Sequence, residues 1–551
     1  MTTRGGHALS ALVRSSLLEW LVALAMIAFV SLSLAQVFLL PPSEGFDEPA
    51  HYSYVSLLAD EGRIPVMGKD MGDALWERRN RRLPGSYRGP LTKVTYREFF
   101  GRPDTVRREA EAAWRTKPPE AGRYEPGQYM NWQGQHPPLY YALLVPVYKL
   151  TAGESPAQRV LWMRLATVII GMMSIVFLWL AWGAAVTETR RRLALGVAVA
   201  ALTPSLVLDV ARLGNEAATM AIAAALFWQM LALRVTRRPW LTVVVIGVLL
   251  GLGLLTKGFF VGFAPGVLVA VALIARHRFR RRTVLAQCVV VVLLCAAISG
   301  WWFVGSHRLY GLWVPTHDAL KPSGGGGIGP AAFAAEFAGG LALRWATYFY
   351  CGTWSWALVP IWWYVPFAVV SALFLVGFVG RFKPAFWRSG EAAILLPLVP
   401  LLAAYLAHLV FVVRHEGVAH GGGHYLHAGW PFIALLVGGA LVQLRRYWLR
   451  ALLAAALVGC FLAARAGDVA QLLITGGIAE KAEGAFIHVP PGTGLDAVGT
   501  ALHNLAELVP LGPGLMFYAL GVAAQAAVVV LTCRWLLKGK KPGDGGASPG
   551  R

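Results

Sequence analysis

Residues 17–40 read LLEWLVALAMIAFVSLSLAQVFLL, and the stretch that follows, 41–55, reads PPSEGFDEPAHYSYV. The first is apolar apart from Glu19 and longer than the roughly 20 residues that cross a bilayer as a helix. It exceeds a signal-peptide core, and no small-residue cleavage site precedes Pro41-Pro42, so it is expected to stay as the first span. A carboxylate pair, Asp47-Glu48, stands just beyond its end.

Working outward, the same apolar character recurs along the whole chain. Of 551 residues 56% are hydrophobic and 14% charged, with a mean hydropathy of +0.55; an ordinary soluble domain carries about a quarter charged residues. A single water-soluble core is excluded, and lipid requires helices or a closed barrel, of which the long apolar runs select helices. Spans are expected near 17–40, 156–184, 193–209, 214–233, 240–256, 258–275, 283–303, 362–380, 391–412, 426–443, 449–465 and 512–533. The expected fold is therefore an all-α polytopic membrane protein of about twelve helices.

The net charge of +21 does not point to nucleic acid, because Lys and Arg sit in short clusters between apolar runs, where they set orientation. Arg190 to Arg192, Arg276 to Arg282, Arg445-Arg446 and the tail after Arg534 fall on one side with the N-terminus. The short loops of the opposite side carry far fewer. Both termini are expected in the cytoplasm, the chain lying in the inner (cytoplasmic) membrane. Pro137 to Leu150, broken by Pro146 and bearing Lys149, is too short to cross and suits an interfacial helix. The cysteines Cys288, Cys295, Cys351, Cys460 and Cys533 are odd in number and form neither a disulfide framework nor a metal spacing.

This map divides the chain into 1–40 with the first span, an extracytoplasmic loop 41–157, a bundle 158–533 with outer loops at 304–343, 413–425 and 466–511, and a cytoplasmic tail 534–551. Loop 41–157 holds 16 Lys and Arg against 15 Asp and Glu. Helical stretches are expected within it at Ala50–Ala59 and Asp104–Arg115.

Asp47 and His51 are four apart and share a face if the helix has begun. A carboxylate there can act as a general base; equally, Asp followed by Glu-Pro is ordinary helix-start chemistry. Four imidazoles, His415, His420, His424 and His427, fall on one glycine-rich loop and are the only metal candidates, in no established zinc spacing.

The carboxylate pair after the first span, the long external loop and Gln135-His136-Pro137-Pro138-Leu139-Tyr140-Tyr141 together resemble the GT-C superfamily of membrane glycosyltransferases. "HPPL" and "PPLYY" are similar to elements of protein O-mannosyltransferases and lipid A aminoarabinose transferases. "DEPAHYSYV" with Gly62-Arg63-Ile64-Pro65 resembles a bacterial family of GT-C-like membrane proteins with a DEPxH motif.

The resemblance implies a polyprenyl-phosphate sugar donor and a lipid, glycan or protein acceptor whose hydroxyl attacks on the outer face in a single inverting displacement. It implies Asp47 as the catalytic carboxylate, Glu48 as its acidic neighbour, and His51, His136 and Tyr140 in the acceptor or metal vicinity, a divalent metal being compatible with such a site. It assigns Arg164 to the donor phosphate. Trp301-Trp302 with Tyr310-Gly311 matches a family element, but Ser306-His307 stands where Arg-Asn is usual and His424-Tyr425 where Arg-Tyr is expected. Lys257, Arg308 and Arg344, at outer ends of spans, complete the phosphate candidates, each also readable as an interfacial anchor. The competing classes are a transporter or lipid flippase, as twelve spans are common there, and a non-catalytic cell-envelope scaffold. An oligosaccharyltransferase fits less well, since the chain stops soon after its last span.

Overall fold

In a computed structural model the described residues are 3–45, 47–86, 88, 92–116, 124–320, 328–350, 359–381, 390–419, 422–481 and 487–538. His420, Cys351, the Gly324 to Gly327 run and most of the tail lie outside them. The described residues form a bundle of helices with three two-stranded sheets.

Eight helices among the described residues are long and apolar enough to cross a bilayer: Leu17–Leu39, Pro156–Ala184, Glu216–Leu233, Arg281–Tyr310, Ile361–Val379, Ala392–Glu416, Tyr447–Thr475 and Leu511–Leu537. The other four expected crossings exist as apolar segments but not as full-length spans. Segment 193–209 is a pair, Thr187–Ala200 and Pro204–Ala211, bent by 78°; Pro204 has no N–H to continue the first helix. Pro239–Leu254 and Phe260–Ala275 have 16 residues each, about 24 Å at 1.5 Å per residue, and are separated by a turn holding Lys257 and Gly258. Segment 426–443 opens as a 3₁₀ turn and becomes the helix Trp430–Leu441. Among the described residues the full-length spans thus number eight, or nine with the bent pair counted as one, and a count of twelve is not confirmed. Leu139–Leu150, with 12 residues, is too short to cross, as expected.

Two backbones approach closely where glycine allows it. A Cβ on Gly196 would lie 1.7 Å from the Ala434 carbonyl oxygen, and one on Gly438 1.8 Å from that of Arg192. This small-residue contact presses the first half of the bent pair against Trp430–Leu441, where lipid offers no hydrophobic driving force and packing must hold the helices together.

The described residues between 41 and 157 form a platform. Helices Glu48–Glu61 and Asp104–Arg115 and an antiparallel pair, Met71–Asp73 with Pro126–Met130, enclose a core of Tyr52, Trp76, Trp114 and Tyr148. Tyr52 stacks on Trp76 at 4.3 Å, and Tyr54 on Tyr141 at 3.6 Å, which ties the platform to the interfacial helix. The expected loop 304–343 instead carries the end of Arg281–Tyr310 and most of a helix, Pro330–Phe349; 466–511 carries the end of Tyr447–Thr475 and a helix, Leu495–Leu508.

Candidate functional site

The site starts at the corner between the first helix and Glu48–Glu61. Asp47 occupies the N-cap position, but with φ 56° and ψ 12°, and its side chain caps nothing. Left-handed backbone is uncommon outside glycine, although Asp tolerates it better than most. The carboxylate is instead gripped from outside the helix: Trp132 Nε1 donates to Oδ1 at 2.9 Å and Gln133 Nε2 to Oδ2 at 3.0 Å. The helix-start reading therefore accounts for the backbone and not for the side chain.

Glu48 goes elsewhere. It is fully buried, and Arg164 donates to it twice, Nε to Oε1 at 2.7 Å and Nη2 to Oε2 at 2.6 Å. Arg164 also donates to the carbonyls of Leu40 and Pro41, at 2.6 and 2.9 Å, and Leu213 N–H donates to Glu48 at 3.0 Å. A bidentate buried pair of this kind satisfies both charges. It fastens the end of the first helix to the second span.

Asp47 lines a cavity of about 1110 Å³. Its polar wall contains His51, His136, Arg212, Glu216, Lys257, His424 and Tyr425; its apolar wall contains Phe259, Val261, Gly262 and Pro265 from one helix, Trp302 and Phe303 from the next, and Pro400 and Ala404. Pro400, Ala404 and His408 are four apart, one stripe of a helix face, so the cavity runs about 12 Å along it. The space can take a polar head together with an apolar tail.

Behind the polar wall runs a buried ionic chain. Arg212 lies 3.0 Å from Asp209 and 3.3 Å from Glu216, and Lys257 pairs with Glu216 from the turn between the two short helices. His427 closes the chain, with Nδ1 2.6 Å from Asp209 Oδ2 and Nε2 2.9 Å from the Tyr348 carbonyl. Asp209, Arg212 and Glu216 come from the motif DVARLGNEA, where the bent pair meets the span Glu216–Leu233. None of the three was singled out from the sequence as a site residue, although ionisable groups inside an apolar run are the signal that finds such sites.

Burial raises the Asp47 pKa above the ordinary carboxylate value, against the Trp132 hydrogen bond that lowers it. A base of raised pKa is a better proton acceptor near neutral pH. Burial holds His51 well below the usual histidine value, and His136 and His424 down at about 3. These imidazoles are neutral, so the cationic charge of the cavity wall comes from Arg212 and Lys257. Lys257 Nζ also sits 5.1 Å from the centre of the Tyr425 ring.

Of the residues expected from sequence, Asp47, His51, His136, Lys257, His424 and Tyr425 come together on the cavity wall. Five lie elsewhere. Arg164 and Glu48 are engaged with each other away from it, because a buried cation takes the nearest anion. Tyr140 is fully buried beneath the wall, its hydroxyl accepting from Gly214 N–H at 2.9 Å, which steadies the turn after Arg212. Arg308 is exposed and does not line the cavity, unlike Trp302 of the same helix. Arg344 lies behind the wall on Pro330–Phe349, donating to the Tyr405 carbonyl and to His408. The histidine cluster also disperses: His415 stacks on Phe411, His424 faces the cavity and His427 is locked to Asp209. Among the described residues no three His, Cys, Asp or Glu side chains are arranged to hold a metal ion.

A family model described as "Predicted membrane protein (DUF2142)" matches residues 29–421. No curated protein matches the chain. Among solved structures it is similar to ArnT from Cupriavidus metallidurans bound to undecaprenyl phosphate, at 15% identity over 94% of this chain and 75% of that one, with a TM-score of 0.42. It is also similar to an apo oligosaccharyltransferase from Archaeoglobus fulgidus, at 13% identity over 93% of this chain and 56% of that one, with a TM-score of 0.38. At such distance no residue's role carries over from either.

Proposed function

The chain belongs to this family of predicted membrane proteins, and from that premise we propose that it is a glycosyltransferase with a polyprenyl-phosphate sugar as donor. The observation that carries the reading is Asp47, a carboxylate held on left-handed backbone by two side-chain donors, at the wall of a cavity with one polar and one apolar side. Uncommon backbone that the surroundings enforce is a mark of a working residue.

In this reading the lipid tail lies along the apolar helix faces and the phosphate meets Lys257 and Arg212, with neutral His424 and Tyr425 as hydrogen-bonding neighbours. Asp47 accepts the proton of the attacking hydroxyl as the glycosidic bond breaks, and the leaving phosphate's charge is held by the cations. The acceptor is a hydroxyl of a lipid, glycan or protein, the displacement is single and inverting, and the site faces the extracytoplasmic side of the inner membrane.

One observation favours a second class. A helix broken by 78° beside buried Asp209, Arg212, Glu216 and Lys257 is also the arrangement of transporters, so a flippase of lipid-linked sugars is the rival. Reconstituted protein given a panel of labelled polyprenyl-phosphate sugars separates them. Transfer of label to an acceptor hydroxyl supports the enzyme. Movement of intact donor between leaflets without cleavage supports the flippase.

A further inference from the structure

The cavity wall carries a third carboxylate besides Asp47 and Glu216, Asp318, which no part of the proposed chemistry employs. It stands on the segment 311–320 that follows the long helix Arg281–Tyr310, with Val314, Pro315, Thr316 and His317 on the same wall. The segment is pinned rather than loose. His317 N–H donates to Gln135 Oε1, Ala319 N–H to Thr316 Oγ1 at 3.1 Å, and Gly311, at φ 71°, makes the turn that starts it.

Behind Asp318 the protons have only one arrangement. Arg344 Nη2 lies 3.1 Å from His408 Nδ1. A guanidinium can only donate, so Nδ1 is the acceptor and the imidazole proton is on Nε2. Nε2 lies 3.3 Å from Asp318 Oδ2. Arg344 is itself fixed by its bond to the Tyr405 carbonyl, at 3.0 Å, and by the Tyr405 ring 4.5 Å away. The order Arg344, His408, Asp318 thus orients a carboxylate about a fifth exposed to the cavity, with His317 Nδ1 3.9 Å from its other oxygen.

This station is joined to the first through Tyr425. His408 meets the Tyr425 ring at 6.2 Å, Phe259 at 4.8 Å, and Lys257 sits over it. We propose that Asp318 is a binding residue for the transferred group, accepting hydrogen bonds from hydroxyls of the sugar ring, with His408 and Arg344 as positioning residues. An oriented carboxylate on the cavity wall suits the hydroxyls of a polyhydroxyl ring and repels a bare phosphate. The inference rests on the donor class proposed above. It gives Arg344 the work of holding His408 in place of touching phosphate.

The test is binding, not turnover. Full-length protein in nanodiscs is titrated with polyprenyl-phosphate hexose and with unglycosylated polyprenyl phosphate. The wild type is expected to prefer the glycosylated lipid. Asp318→Asn should lower affinity for the glycosylated lipid about ten- to hundredfold and leave that for the bare lipid unchanged. Arg344→Met, which cannot donate, should give a smaller loss of the same selective kind, partly restored in Arg344→Lys, which can still donate to Nδ1. Equal loss for both lipids would make Asp318 a structural residue and overturn the proposal, as would an undiminished preference in Asp318→Asn or no preference in the wild type. If the preference behaves as stated while no acceptor is ever glycosylated, transfer fails and the sugar site stands.

Discussion

Asp47 and Glu48 are adjacent in the chain, yet they belong to two different regions of the molecule. Asp47 is half-buried on the cavity wall and bound only by donors that leave it a lone pair to spare. Glu48 is sealed against Arg164 and a backbone N–H, with no access to the cavity. The left-handed residue between the two helices sends consecutive side chains apart. The difference teaches that a carboxylate pair in sequence need not be a pair in space. One member here serves the corner that presents the other.

The contrast can be broken first at the clamp. Glu48→Gln leaves Arg164 buried with a neutral partner, and stranding one half of a buried ion pair costs on the order of 3–5 kcal/mol. Thermal unfolding of the purified variant should drop strongly, and donor binding should fall only as the fold does. An unchanged melting temperature would show that the two carboxylates are not divided in this way.

On the cavity side, Lys257→Met should weaken binding of unglycosylated polyprenyl phosphate by about 1.5–3 kcal/mol, the usual worth of a charge-assisted hydrogen bond. Unaltered affinity, measured in nanodiscs on protein that still melts normally, would take Lys257 out of the phosphate site.

The smallest effect expected is on pH. His51, His136 and His424 have folded pKa values pushed below the unfolded one by burial. The unfolded chain therefore takes up protons first as pH falls through about 6.5, and the native state loses stability from there downward. Asp47, with its pKa raised, and Asp73, raised by burial to about 6, work the opposite way as pH rises past the ordinary carboxylate value, but two groups stand against three. Melting temperatures from pH 7.5 to 5 should decline, and less steeply in His136→Gln. A flat profile would mean that these imidazoles are not buried neutral.

Much of this was legible in the sequence, for identifiable reasons. Apolar runs bounded by Pro41-Pro42 or arginine clusters mark spans, and period and polarity place helical stretches at Ala50–Ala59, within the observed Glu48–Glu61, and at Asp104–Arg115. Segment lengths were less legible, because Pro204 and the Lys257-Gly258 turn shorten helices that read as complete. Pro330–Phe349 escaped because its glycines and its internal Arg344 dilute the apolar signal. At the site, residues near the HPPL and DEPAHYSYV motifs fall on one wall, whereas the pairings do not follow from spacing. Arg164 meets Glu48 from 116 positions away. Asp318 and His408 come together only through the fold.

The measurement that tests the account most directly is single-turnover transfer by Asp47→Asn, started from a preformed complex with labelled donor. Asparagine keeps the size and can still bond to Trp132 and Gln133 after a flip, but it cannot accept a proton. The account predicts that donor affinity and melting temperature stay near wild type while the rate falls by about a hundred- to ten-thousandfold. Transfer at near wild-type rate would contradict it, and the base would then be sought at Asp318, since Glu48 has no access to the cavity.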